Sequence, residues 1–140
     1  MTSNLAASWG QRPASVLVAD DEAPLRDLYT MILRGQGYQV AAAGDGQAAL
    51  GLYRQALAEG EPFGVVLLDL CMPGLDGLGC ARAILEDDPW ARVILATGSC
   101  SVDLGDLLDR LAGVLLKPIS LRGLLREVTA CQAGQALAGR

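Results

Sequence analysis

The chain contains no histidine, only one lysine among its eleven basic residues, and no aromatic residue after Trp90. Without an imidazole it cannot itself carry a phosphohistidine. Its purely aliphatic stretches are only strand-sized, so no segment approaches the length of a membrane span and no membrane insertion is expected. Residues 1–11 lack a basic region followed by an apolar core, and no secretory signal is expected there. The four cysteines, Cys71, Cys80, Cys100 and Cys131, show neither metal-type nor redox-type spacing. They are expected as small buried apolar side chains in a reducing cytoplasm. The formal net charge is −5 and the arginines are scattered rather than clustered, which argues against direct nucleic-acid binding.

What is present is apolar: 51% of the 140 residues are hydrophobic. A chain of this length forms one domain that buries about two-thirds of its unfolded surface. Residues 1–14 are small and polar and read as a flexible extension, with Trp9 as a local packing anchor. A domain is expected over 15–131 and a tail over 132–140.

Four apolar runs carry the organisation. Val16-Leu17-Val18-Ala19 leads into Asp20-Asp21-Glu22, and Val65-Val66-Leu67-Leu68 ends at Asp69. Val93-Ile94-Leu95-Ala96 ends at Thr97, and Gly113-Val114-Leu115-Leu116 ends at Lys117-Pro118. Consecutive apolar residues mark strands buried on both faces, and a helical pattern follows each. Acids, a hydroxyl and an ammonium therefore gather at the carboxyl ends of parallel strands, the edge where open α/β sheets bind ligands. The single lysine is informative, because an ammonium is a compact point charge and a guanidinium a wide planar fork.

The expected strands are 15–19, 38–41, 64–68, 91–96 and 113–116. Helices are expected over 23–35, with Leu25, Leu28, Ile32 and Leu33 inward, and from Asp45 through 58, with Ala48, Ala49, Leu52 and Leu57 inward. Others are expected over 76–87, over 102–111 (short and weakened by Gly105) and from Ser120, a candidate N-cap, to about Cys131. Taken one at a time, Asp20 or Asp69 could cap a helix and Thr97 could belong to a turn. Four such endings in order are harder to explain that way.

With Asp20-Asp21-Glu22, Leu67-Leu68-Asp69-Leu70-Cys71-Met72-Pro73-Gly74-Leu75-Asp76-Gly77, Ala96-Thr97-Gly98 and Lys117-Pro118, the chain resembles the response-regulator receiver domains of two-component signalling over 15–131. The resemblance implies a three-layer, flavodoxin-like (βα)5 fold, a doubly wound parallel sheet of order 2-1-3-4-5. It implies Asp69 as phospho-acceptor, with Thr97 and Lys117 contacting the phosphoryl group. Asp21 and Asp69 become direct metal ligands, Asp20 acts largely through water, and the Cys71 backbone carbonyl completes the set. Glu22 is then only an acid near a helix start. Three converging acids call for a cation, and Mg2+ suits oxygen ligands and phosphoryl groups. The Lys117–Pro118 peptide is expected cis, as in the family.

The implied partners are a histidine kinase or histidine phosphotransfer protein and a downstream protein target in trans, in the cytoplasm. Whether the chain is a stand-alone regulator or the receiver of a hybrid kinase is open, and no chemistry beyond its own phosphorylation and dephosphorylation is expected. Cys71 and Ser99, each two residues past a site residue, are small and bear on phosphoryl lifetime. One departure stands out: Val114 occupies the position three before the lysine where the family usually has an aromatic switch. A flavodoxin-like cofactor module is the alternative, because Thr97-Gly98-Ser99-Cys100-Ser101 resembles a phosphate loop, although on the wrong strand. A haloacid-dehalogenase-like phosphatase would need an acid where Cys71 stands.

Overall fold

The computed structural model describes residues 14–98 and 103–138. Five parallel strands form one sheet in the order β2-β1-β3-β4-β5. They are β1 (Ser15–Ala19), β2 (Gln39–Ala43), β3 (Val65–Asp69), β4 (Val93–Thr97) and β5 (Gly113–Leu116). Four α-helices accompany them: α1 (Ala23–Gly35), α2 (Gly46–Ala58), α3 (Gly77–Asp87) and α4 (Leu121–Ala138). Among the described residues, the connection from β4 to β5 holds a 3₁₀ turn, Gly105–Arg110.

All residues of β1, β3 and β4 are buried, as their unbroken apolar runs require. Strand alternation divides them between two cores. On one face Leu17, Val66, Leu68, Val93 and Leu95 pack against Tyr53 of α2 and Cys80, Ile84 and Leu85 of α3. On the other, Val16, Val18, Leu67 and Ile94 pack against Tyr29 and Leu33 of α1 and Leu124, Val128 and Cys131 of α4. Side-chain caps fix the helix starts. Asp45 accepts from the Ala48 N–H at 2.7 Å, Asp76 from Gly79 at 2.8 Å, and the Ser120 hydroxyl from Gly123 at 2.9 Å. The Tyr53 hydroxyl donates to buried Asp88 at 2.5 Å, tying α2 to the loop before β4.

Several expectations are corrected. The helix expected over 102–111 is the six-residue 3₁₀ turn, because Asp103 takes the Gly105 N–H at 2.9 Å and Gly105 sits at φ +57°. Both features favour a local turn over a helical start. In α2 the buried residues are Gly46, Ala49, Leu50 and Tyr53, whereas Ala48 is exposed and Leu52 and Leu57 are half-buried. In α1 the fully buried positions are Tyr29 and Leu33, and Leu25, Leu28 and Ile32 are half-buried. β2 runs to Ala43 because Ala43 pairs with Ala19 and its carbonyl accepts from Asp20 at 3.1 Å. α4 continues through Ala138, since its alanines and glutamines past Cys131 favour helix and no proline stops it. Cys80 and Cys131 are buried, and burial pushes both thiols up to about 11. Cys71 is exposed, contrary to expectation, because its loop lies past the end of β3. Trp9, Ser99 and Cys100 lie outside the described residues.

Candidate functional site

The acidic site is built on strand ends. β1 delivers Asp20, 2% exposed, and then exposed Asp21; β3 ends on Asp69, 5% exposed. Their carboxylate oxygens lie within 4.8 Å of one another. β4 ends on buried Thr97, on the strand next to β3, where Asp69 pairs with Ala96. Lys117 follows β5, and its N–H donates to the Thr97 carbonyl at 2.8 Å. The Lys117–Pro118 peptide is cis, as expected.

The lysine returns to the acids. Its Nζ lies 3.2 Å from Asp69 Oδ2, 3.4 Å from Asp20 Oδ2 and 3.9 Å from Glu22 Oε1. Glu22, expected only as an acid near a helix start, thus stands at the edge of the same charge cluster. Asp20 Oδ1 accepts from the Glu22 N–H at 2.9 Å, and Asp69 Oδ1 accepts from the Cys71 N–H at 3.3 Å. A Cβ on Gly77 would strike the Asp69 carbonyl, so only glycine lets α3 start this close to the end of β3.

Burial raises the pKa of Asp69; Lys117 opposes this, and the like charge of Asp20 adds to it. Burial alone would lower Lys117, but attraction from Asp20 and Asp69 prevails and holds it raised. The two shifts are compatible: one ammonium is shared among several acids, so it is over-stabilised while Asp69 remains short of counter-charge. A set of carboxylates this close, with no nitrogen or sulfur donor among them, suits a hard divalent cation.

Two neighbours were not legible in the sequence. Arg26 Nη1 donates to the Asp20 carbonyl at 2.7 Å, bracing the β1–α1 loop. Tyr29 is buried beside the cluster, and burial raises its phenol. Neither carries a spacing signal, because both contacts depend on how α1 crosses the sheet.

A doubly wound parallel sheet with acids, a hydroxyl and an ammonium on its carboxyl edge defines the class, and the comparisons agree. Residues 16–129 match the model of the response regulator receiver domain, and the chain belongs to that family of two-component signalling proteins. It is 36% identical over 115 residues to the response regulator receiver protein CpdR of Brucella abortus, covering 81% of this chain and 92% of that one. The probable transcriptional regulatory protein TcrX of Mycobacterium tuberculosis is 32% identical over 142 residues, covering 90% and 56%. Among solved structures, response regulator TrrA of Thermotoga maritima, in complex with Mg2+-BeF, superposes with a TM-score of 0.74 at 26% identity, covering 84% of this chain and 97% of that one. The chain spans about half the length of the first curated relatives it matches. The strand order and fold are those the resemblance implied. Among the described residues, no helix is long and apolar enough to cross a membrane.

Proposed function

We propose that this receiver accepts a phosphoryl group on Asp69 from a histidine kinase or histidine phosphotransfer protein, and that the modified domain changes its binding to a protein partner in trans. The observation that carries the reading is the shared ammonium: Lys117 Nζ lies 3.2 Å from Asp69, with Asp20 and Asp21 oxygens in the same cluster. An Asp69 carboxylate oxygen attacks phosphorus. The new O–P bond forms as the P–N bond of the donor phosphohistidine breaks, and the electron pair leaves with the imidazole. Lys117 exchanges its carboxylate contact for a transferred phosphoryl oxygen. Thr97 donates its hydroxyl to another, a contact that exists only after transfer and so can bias a two-state population.

Asp20, Asp21, Asp69 and the Cys71 carbonyl would hold Mg2+, which supplies counter-charge to the transferred group when bound. That the similar TrrA was solved in complex with Mg2+-BeF supports Mg2+ as the ion. Arg26 keeps Asp20 in place through its carbonyl. No multiple-turnover reaction is assigned, since the phosphorylated residue is the chain's own. A cytoplasmic setting fits a kinase partner. TcrX is named as a transcriptional regulator, but residues 16–129 here carry no basic cluster, and no nucleic-acid contact is proposed for them.

The test uses acetyl phosphate or a phosphorylated kinase with Mg2+. The protein should gain one acid-stable, base-labile phosphoryl group, and Asp69→Asn should lose it. Undiminished labelling of that variant, mapped to another residue, would overturn the assignment.

A further inference from the structure

At the amino ends of the strands, opposite the acidic site, a cavity of about 130 Å³ is lined by Arg92, Ala112, Glu127, Ala130 and Cys131. Chain position explains the gathering. Arg92 directly precedes β4, and alternation puts its side chain on the face of Ile94, within the α1–α4 core. Its carbonyl accepts from Val66 at 2.8 Å, and the Ala112 N–H donates to the Val93 carbonyl at 2.8 Å, so the entries to both strands are fixed. Glu127, Ala130 and Cys131 stand at i, i+3 and i+4 on α4 and share one face. A Cβ on Gly113 would come within 2.9 Å of Glu127 Oε1, so this strand glycine leaves the carboxylate its place.

The two charges lining the cavity are unused. Arg92 and Glu127 are half-buried, yet they form no ion pair with each other, and among the described residues neither side chain has a hydrogen bond or ion pair. Arg26, Arg34, Arg54, Arg82 and Arg110, by contrast, each meet a carbonyl or a carboxylate. Both unused charges reach the same thiol: burial raises Cys131, the Arg92 guanidinium opposes the rise and the Glu127 carboxylate adds to it. Opposite charges thus face one small opening from different walls. A partly desolvated charge gains from a partner of opposite sign, and here both signs are wanted at once. A simple anion meets the repulsion of Glu127, and a metal cation that of Arg92. Room for about four waters admits only a few heavy atoms.

We propose that this cavity binds a small zwitterion, a free α-amino acid of the size of glycine or alanine, with its carboxylate on Arg92 and its ammonium on Glu127. The guanidinium fork donates to both carboxylate oxygens, and the Glu127 carboxylate accepts from the ammonium. Ala112, Ala130 and Cys131 leave space for no more than a small side chain. The ligand bridges α4 and the amino ends of β4 and β5, the strands whose carboxyl ends lead to Thr97 and Lys117. The site shares no residue with the acidic cluster, so it does not rest on the function proposed above.

The test is an amide NMR titration of the full chain with alanine, free of Mg2+ and phosphodonor. Propionate and ethylamine each lack one of its charges, and leucine keeps both but carries a larger side chain. Alanine should give saturable shifts at residues 92, 112–113 and 127–131, and each of the three controls should bind roughly tenfold more weakly or worse. Arg92→Gln and Glu127→Gln should each weaken alanine by roughly tenfold or more. Ala130→Leu keeps both charges and fills the opening, and since Ala130 is exposed the fold should tolerate it; it too should abolish saturation. The proposal falls if alanine gives no saturable shift, or if propionate or ethylamine binds as tightly as alanine. It falls equally if the shifts map to Asp20, Asp69 or Lys117, or if natively folded variants bind like wild type. The control ligands act on the wild-type chain, so a variant that fails to fold does not shield the proposal. Labelling of Asp69, whether it succeeds or fails, leaves this test standing.

Discussion

Lys117 and Asp69, 48 positions apart in the chain, meet at 3.2 Å between Nζ and Oδ2, and the same ammonium lies 3.4 Å from Asp20. Two carboxylates about 4 Å apart repel by about 4 kcal/mol at an effective dielectric near 20. One compact cation between them removes much of that repulsion and leaves room for a second cation among the oxygens of Asp20, Asp21 and Asp69. The sole lysine of the chain is thus placed where a point charge is useful and a planar fork would crowd the site.

Lys117→Ala should cost about 2–3 kcal/mol at neutral pH, because it strands buried carboxylates without their cation. Lys117→Arg should fold, yet take phosphoryl from acetyl phosphate at least tenfold more slowly, since the guanidinium must displace ligand oxygens. Urea melts and labelling time courses measure the two effects. Arginine at wild-type rates would show that compactness is irrelevant.

Asp69→Asn should stabilise the protein in metal-free buffer at neutral pH, by about 1 kcal/mol. The sign follows from the raised pKa, caused first by burial and then by Asp20. A carboxyl raised in the fold imposes no penalty below its unfolded value near 3.9, and its penalty grows as pH rises through the folded value. The advantage of the asparagine variant should therefore vanish below about pH 4. Chemical denaturation of both proteins between acid and neutral pH, with chelator present, checks this. A variant less stable than wild type at pH 7 would contradict it.

Mg2+ should raise the melting temperature of the wild-type chain. Ligand at a hundred times its dissociation constant contributes about 2.7 kcal/mol, which for a domain of this size is a shift of roughly 10 °C. Asp21→Asn should remove most of the shift, as its exposed side chain has little part in the apo fold. Calorimetry with Ca2+ and Mg2+ in parallel measures it, and equal shifts in both proteins would move the ion elsewhere.

The sheet was legible because Val16–Ala19, Val65–Leu68 and Val93–Ala96 are unbroken apolar runs, a pattern that only a strand buried on both faces explains. The acidic residues were legible because strand ends aim them at one edge. The segment over 102–111 was misread because Leu104, Leu107, Leu108 and Leu111 repeat at helical spacing, while Gly105 and the Asp103 turn decide otherwise. The burial of Tyr29 and the bond from Arg26 to the Asp20 carbonyl depend on the angle at which α1 crosses the sheet, and no local spacing encodes that. Exposed Leu116 reads in sequence as core, since nothing in the strand itself says that no helix among the described residues covers it.

Thr97 should separate acceptance from response. Its carbonyl already holds the Lys117 N–H at 2.8 Å, so the backbone at this strand end is tied to the β5 loop whether or not a phosphoryl group is present. In the function proposed above the hydroxyl takes up a contact with the phosphoryl group, and Thr97→Val removes that contact with little change of volume. Labelling by acetyl phosphate should then stay within about tenfold of wild type, since the nucleophile, the acids and Lys117 remain. The consequence should be lost. In wild type, beryllofluoride with Mg2+ should alter amide exchange over residues 103–116. Val114 is 36% exposed and too small to switch between buried and exposed rotamers as an aromatic does, so the change must pass through backbone movement. In Thr97→Val the same additions should leave residues 103–116 as they are in the free protein. Equal exchange changes in both proteins would show that the hydroxyl is not the link. A wild-type response confined to a distant helix would place the signalling surface elsewhere.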